Sequence, residues 1–401
     1  MKKGWERKRL GEVLAKTETT DPTRSPNVEF VYIDVSSVSN ATLTIQETQR
    51  LKGKDAPSRA RRLVRTNDIL FATIRPTLRR IAIVPEELDE QVCSTGYFVL
   101  RATPAVDARF IFYFLQTGDF MAAMEKLQKG ASYPAVTDGD VRSQPLPIPP
   151  LAEQRRIVGV LDEAFAGLAR AQAHAARNHQ NARDLFASHL QAVFSQRGKG
   201  WVEKRLGELC DIKHGYAFEG EFFTNQGDYV LLTPGNFYES GGYRDRGEKQ
   251  KFYAGPIPQD YVLTKGDMLV AMTEQAAGLL GSPIIVPESG KFLHNQRLGL
   301  VTAKPGVPWL NGFFFHVFNL PAVRQSIQDS ASGTKVRHTS PTKLGAVLIS
   351  LPPLPEQRRI AAQLDALSAE TQRLAGVYAR QSAALAELKQ ALLHQAFAGE
   401  L

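Results

Sequence analysis

Cysteine is scarce. The 401 residues hold two, Cys93 and Cys210, in unlike contexts, with neither a CxxC spacing nor a histidine cluster nearby. That pattern argues against a disulfide framework or a thiolate metal site, and it reads as two buried thiols in a reducing cytoplasm. Long apolar runs are missing too. The most apolar stretch, WLNGFFFHVFNL from Trp309, carries Asn311 and His316 and falls well short of the ~18 residues a membrane helix needs. The opening MKKGWERKRLGEV is basic but has no apolar segment after it, so no secretory leader and no membrane association are expected.

Catalytic signatures are also lacking. There is no G-x-x-x-x-G-K-[ST] phosphate loop and no H-E-x-x-H pair. The Gly-rich strand-to-helix turn of a methyl-donor site is not found. Neither is an Asn/Asp-Pro-Pro-aromatic motif, since the two Pro-Pro pairs follow Ile148 and Leu351. The eight histidines are scattered; His174, His179 and His189 share one helical stretch and read as solvated or seam positions rather than metal ligands. These absences point to a chain that recognises rather than reacts, with no metal or cofactor of its own.

What is present begins with charge. Lys and Arg number 49 against 41 acidic residues, a net charge of +8 with pI near 9.4, which suits a polyanionic partner. The cations gather in KGKDAPSRARRLVR (Lys52 to Arg65), IRPTLRR (Ile74 to Arg80), GYRDRGEKQKFY (Gly242 to Tyr253) and GTKVRHTSPTK (Gly333 to Lys343). Cations mixed with Tyr, Ser, Thr and Gln fit phosphate contact beside base readout.

The chain also repeats itself. PPLAEQRRI at Pro149 returns as PPLPEQRRI at Pro352, 203 residues later. GWERKRLGEV (Gly4) returns as GWVEKRLGEL (Gly200), and LFASHLQAVF (Leu185) as LKQALLHQAF (Leu388). GASYPAVTDGDV (Gly130) parallels GTKVRHTSPTKL (Gly333), again 203 residues on. The frames agree while the residues between them differ, so one scaffold has been duplicated to carry two unlike surfaces.

Each copy reads as an α/β block followed by a helix. The blocks mix short β-type runs (FVYIDVSSV, YFVLRA, YVLLT, SPIIVP) with Gly, Pro and Asp breaks. Pro-Pro then ends the block, Glu153 and Glu356 fall in the first helical turn, and no proline interrupts the next forty-odd residues. Apolar positions in the first helix step by three and four through Ile157, Leu161, Ala164, Leu168, Ala171, Ala175, Ala182 and Leu185. The second runs through Ile360, Leu364, Leu367, Leu374, Tyr378, Leu385, Leu388 and Leu392. Such seams predict a coiled coil. Asn178 and Gln381 hold equivalent seam positions and are expected to set the helix register as buried amides facing each other.

The expected fold is therefore α+β: two α/β blocks (1–148 and 199–351) separated by two long antiparallel coiled-coil helices (149–198 and 352–401), with a pseudo-twofold internal repeat. Blocks at opposite ends of such helices would form a ruler with a reader at each end. A rival reading is a coiled-coil scaffold that binds nucleic acid nonspecifically.

The doubled PPLxEQRRI phrase, the GW…KRLGE starts, the GTKVRHTSPTKL loop and the ending LKQALLHQAFAGEL resemble the specificity subunit of bacterial type I restriction–modification systems. The resemblance covers essentially the whole chain. It implies two target-recognition domains, each reading one half of a split duplex DNA site, and helical spacers that dock two modification subunits. It places S-adenosylmethionine and adenine methylation on those subunits, and ATP-driven translocation and cleavage on restriction subunits, in the cytoplasm. On that reading the first block offers Arg59, Arg61, Arg62, Arg75, Arg79, Arg80 and Tyr133 to DNA. The second offers Lys213, His214, Tyr216, Thr273, Glu274, Gln275, Asn295, Gln296, Arg297, Lys335, Arg337 and His338. Arg suits guanine, and Asn or Gln suits adenine, by two-point hydrogen bonding.

Overall fold

The structure is a computed structural model that describes residues 4–274 and 278–401. Its internal contacts divide it into two units, Met1–Ala176 with Ala379–Leu401, and Arg177–Tyr378.

The first unit is built from β1 (Glu6–Arg9), β2 (Glu29–Ile33), β3 (Gln49–Lys52), β4 (Ala60–Leu63), β5 (Ile69–Ala72), β6 (Ile81–Ile83), β7 (Val92–Ser94), β8 (Tyr97–Leu100) and β9 (Pro145–Ile148). Helices α1 (Ala108–Phe114), α2 (Gly118–Leu127) and α3 (Asp138–Arg142) follow β8, and the long helix α4 (Leu151–Ser195) follows β9. Strand order is β3-β2-β7-β4 in one sheet and β6-β5-β8 in a second, with β1 paired to β9 apart from both. The β2–β7 pair is parallel, and the other pairs are antiparallel.

Strand β5 explains why its sequence, ILFA, is apolar without alternation. Ile69 and Phe71 enter the core beneath α1 and α2, while Leu70 and Ala72 enter a second core on the other face. Side chains alternate across a strand, so a strand covered on both faces must be apolar at every position.

The second unit repeats this plan. It contains β10 (Val202–Arg205), α5 (Leu206–Leu209), β11 (Cys210–His214), β12 (Phe223–Thr224), β13 (Tyr229–Leu231), β14 (Phe252–Tyr253), β15 (Met268–Ala271), β16 (Thr273–Glu274), β17 (Pro283–Ile285), β18 (Phe292–Leu293) and β19 (Leu298–Ala303). Then come α6 (Asn311–Phe318), α7 (Pro321–Ser330), β20 (Arg337–His338), α8 (Pro341–Gly345), β21 (Leu348–Leu351) and the second long helix α9 (Leu354–Ala398). Sheet β11-β19-β15-β17 corresponds to β6-β5-β8, and β12-β14-β13-β18 corresponds to the sheet around β2. The β13–β18 pair is parallel, like β2–β7. Met268 and Val270 face one core, Leu269 and Ala271 another, as in β5.

The repeated phrase at the start of each long helix has a structural reason. Gln154 is fully buried; its amide donates to the Pro149 carbonyl at 2.9 Å and accepts from the Asp107 N–H at 2.9 Å. Gln357, equally buried, donates to the carbonyls of Pro352 at 3.0 Å and Pro308 at 2.8 Å. Each glutamine thus ties its helix start to its own block. Outside it, Arg156 pairs with Glu153 and Arg359 with Glu356.

Helices α4 and α9 are 45 residues each, about 68 Å at ~1.5 Å per residue. Within the first unit they run antiparallel. Arg156 donates to the Leu401 carbonyl at 2.6 Å, and the Lys389 ammonium lies 5.0 Å from the Phe165 ring centroid. Within the second unit His189 and Gln363 meet at 3.0 Å. Ile157, Leu161, Leu168, Ala175 and Ala182 are buried as the seam predicts.

The register expectation is corrected. Asn178 and Gln381 are both exposed, and Leu185 and Leu388, seven residues on, are 52% and 47% exposed. A straight helix drifts by ~20° per heptad from a 3.5-residue repeat. A stripe continued in sevens therefore turns out of the packed face, and burial on α4 resumes at Leu190, eight residues after Ala182.

Candidate nucleic-acid interface

In the second unit the end of β15 gathers three remote segments. The Met272 N–H donates to the Arg297 carbonyl at 3.0 Å, and the Met272 carbonyl accepts from Thr339 N–H at 2.9 Å. Strands β16 and β20 then set Thr273 opposite His338 and Glu274 opposite Arg337. The Tyr216 N–H donates to the His294 carbonyl at 2.9 Å, and the Gln296 N–H returns to the Tyr216 carbonyl at 3.0 Å. This exchange needs Gly215, because a Cβ there would stand 2.2 Å from the Asn295 carbonyl oxygen. Residues 213–216, 272–274, 294–297 and 332–339 thus form one contiguous corner.

The first unit uses the same lacing. Thr73 N–H donates to the Gly96 carbonyl at 2.9 Å, and its carbonyl accepts from Val136 N–H at 3.0 Å. Arg75 N–H donates to the Pro134 carbonyl at 2.7 Å, and Thr95 N–H to the Arg59 carbonyl at 2.8 Å. The loops 129–135 and 332–338 are closed by equivalent bridges, Lys129 with Ala135 and Ser332 with His338. Both open on a glycine with positive φ, +100° at Gly130 and +95° at Gly333, where a Cβ would meet the carbonyl oxygen three residues on at 2.9 and 2.1 Å. The loop shape therefore requires glycine in both copies.

The same frame carries different side chains. Arg59, Gln296, Arg297 and Lys335 are exposed, with no side-chain hydrogen bond or ion pair among the described residues. Arg79 and His214 are also exposed. Tyr133 is 73% exposed at the loop tip, its ring centroid 5.5 Å from the Arg75 guanidinium. Lys213 lies 4.3 Å from the Tyr261 ring centroid, and Tyr216 packs on Tyr261 and Phe218 at 5.3 and 5.1 Å.

Other expected contacts are committed to the fold. Arg62 is paired with Asp138 at 2.8 Å, and Arg80 donates to the carbonyls of Val35 and Val38. Arg61 donates to the Ala60 carbonyl and faces Asp21 at 3.4 Å. Arg337 donates to Gln328 through both its side chain and its carbonyl. Glu274 is buried and caps the turn by accepting from Gly278 and Leu280 N–H at 3.0 and 2.9 Å. Asn295 and Thr273 are buried, Asn295 accepting from Arg297 N–H at 3.1 Å and Thr273 lying 3.4 Å from the His338 ring. The reason is the same throughout: a basic or amide side chain beside a carboxylate or an unpaired carbonyl satisfies that group first. Gln275 lies outside the described residues.

Two residues behind the corner were not singled out from sequence. Tyr261 supplies the face that holds Lys213, 48 positions away along the chain. His294 is fully buried, with Nε2 3.0 Å from the Leu298 carbonyl, and burial pushes its pKa down to about 4. It stays neutral and donates to that carbonyl. No group of three metal-ligating side chains occurs among the described residues.

The family model described as "Type I restriction modification DNA specificity domain" matches residues 2–172 and again 198–378. The EcoBI specificity subunit of Escherichia coli is 27% identical over 225 residues, 56% of this chain and 44% of that protein. The StySPI specificity subunit of Salmonella potsdam is 25% identical over 328 residues, 77% of this chain and 69% of that protein. The chain spans less than half the length of some curated relatives, 44% for EcoBI and 34% for HindI of Haemophilus influenzae.

Among solved structures, the HsdS subunit from Thermoanaerobacter tengcongensis matches with a TM-score of 0.65 at 30% identity, covering 100% of this chain and 98% of that one. A chain from work on "complex assembly and conformational transition of the type I R-M system" matches with a TM-score of 0.85 at 30% identity, covering 100% and 99%. Two tandem copies of the domain model, over most of the length, establish that the chain belongs to the type I restriction–modification DNA specificity family.

Proposed function

We propose that this chain reads a bipartite duplex DNA sequence, one half-site per unit, for a type I restriction–modification complex, and performs no chemistry itself. The observation that carries this reading is the twice-built corner: an equivalent backbone lacing at Thr73 and Met272, clothed in unlike exposed side chains. A duplicated frame with divergent surfaces suits two half-sites of different sequence. Exposed, uncommitted Arg59, Arg79, Arg297 and Lys335 supply cations for phosphates or guanine edges, and Gln296 supplies an amide for adenine.

The long helices hold the spacing and dock two modification subunits. Those subunits carry S-adenosylmethionine and methylate an adenine in each half-site, and restriction subunits add ATP-driven translocation. No helix among the described residues is long and apolar enough to cross a membrane.

The test is to map adenine methylation in cells expressing the cognate methyltransferase with and without this chain. A split motif that appears only with the chain is expected. Chain-independent methylation by a partner shown to be active and bound would reject the reader role and favour the scaffold.

A further inference from the structure

We infer that Tyr133 is a base-stacking residue, whose ring covers the face of a nucleobase in the half-site read by the first unit. The inference rests on the DNA-reading function proposed above. Tyr133 is 73% exposed, more than the other exposed large apolar side chains among the described residues, which range from 36% to 62%. It is nevertheless held on a built loop. Lys129 and Ala135 exchange both backbone hydrogen bonds, at 2.8 and 2.9 Å, and Gly130 adopts φ +100° to close the turn.

Arg75 supports the tip from below. It occupies left-handed backbone at φ 50°, a conformation that costs a non-glycine residue stability, and its N–H donates to the Pro134 carbonyl at 2.7 Å. Its guanidinium donates to the Ser132 carbonyl at 3.4 Å and lies 5.5 Å from the Tyr133 ring, within cation–π range. A rigid ring presented to solvent beside cations is the pairing that binds an unstacked base: the ring takes the base face, and the cations take the flanking phosphates. An extruded or loosened base, which methylation of an exocyclic amine requires, leaves such a face open.

The repeat makes the inference sharper. The position equivalent to Tyr133, 203 residues on, is Val336, which is half-buried. The second unit therefore has no stacking ring at this point of its loop, and the two half-sites are handled unequally.

The experiment uses the full chain in complex with its methyltransferase partner. The duplex carries the mapped site, with 2-aminopurine placed at one position at a time. Probes at the two methylated adenines are left out, because their extrusion changes fluorescence in both half-sites. At the remaining positions wild type is expected to change the fluorescence of a probe in one half-site only. Tyr133→Ala should abolish that change and weaken binding about 10-fold or more, and Tyr133→Phe should keep both. The salt dependence of binding should be unaltered by Tyr133→Ala, because no phosphate contact is lost, whereas Arg79→Ala should lower its slope. Specific binding by Tyr133→Ala within twofold of wild type, with the fluorescence change intact, overturns the stacking role and leaves the reader function standing. Loss of partner association with DNA affinity preserved also overturns it. A wild-type complex that fails to prefer its site over scrambled DNA overturns both proposals.

Discussion

Asp68 is the residue whose loss the first unit should tolerate least. It is 1% exposed and accepts three hydrogen bonds at 2.8 Å, from Nε and Nη2 of Arg101 and from the Arg65 N–H. Arg101 is itself largely buried and also reaches Glu18 at 2.7 Å. Asp68→Asn keeps the shape but removes the charge and turns an acceptor into a donor facing a guanidinium. Breaking one side of a buried pair of this kind costs ~3–5 kcal/mol. For a unit of about 200 residues, each kcal/mol moves the midpoint by ~2–4 °C, so a drop of about 6–20 °C is expected.

The repeat supplies an internal control. Asp267 accepts from the Thr264 N–H at 2.8 Å in the same turn, but Thr302 stands where Arg101 does, and no guanidinium pairs with Asp267 among the described residues. Asp267→Asn should cost only ~1 kcal/mol, the value of one hydrogen bond. Calorimetry of the full chain separates the two cases, because each unit should melt with its own transition. The double change Asp68→Leu with Arg101→Leu should recover most of the loss, since neither charge is then stranded. If Asp68→Asn shifts its transition no more than Asp267→Asn does, the buried pair is not what holds this turn.

Four further outcomes follow from named contacts. His294 has its pKa pushed down to about 4, against about 6.5 when unfolded, so its contribution is full above pH 6.5 and is lost as pH falls toward 4. The limit is ~3 kcal/mol, and the stability gap between wild type and His294→Gln should therefore close between pH 7 and 4.5; a constant gap would refute the assignment. Gln357→Leu strands the Pro308 and Pro352 carbonyls and should cost ~1–3 kcal/mol in thermal melts, with a similar cost for Gln154→Leu in the other unit. Asn178→Leu with Gln381→Leu should leave the chain's stability within ~0.5 kcal/mol, because both amides are exposed; a larger loss would show that they pack. Arg297→Ala should relax preference at one base pair by ~1–3 kcal/mol if it reads an edge, and weaken all sequences alike if it holds a phosphate.

Much of the architecture was legible because it is written locally. A duplication survives as repeated phrases, and a long helix survives as apolar positions stepping by three and four. Strands covered on both faces, such as ILFA and MLVA, show as unbroken apolar runs bounded by turns. Other features had no local signal. Arg59 and Arg62 stand in one basic run, yet Arg62 is spent on Asp138, 76 residues away, while Arg59 has no such partner among the described residues. Asn178 and Gln381 sit in seam positions by counting, but the packed face turns away from them at that point of the helix.

Nothing near the glutamine in PPLxEQRRI marks it as buried, and only folding sets it against proline carbonyls. The sequence by itself determined the repeat, the element types and the basic character, because those depend on neighbours within a few residues. Tertiary structure decided which cations are free, which amides are spent and which rings are presented, because a polar side chain satisfies the strongest partner that folding brings to it.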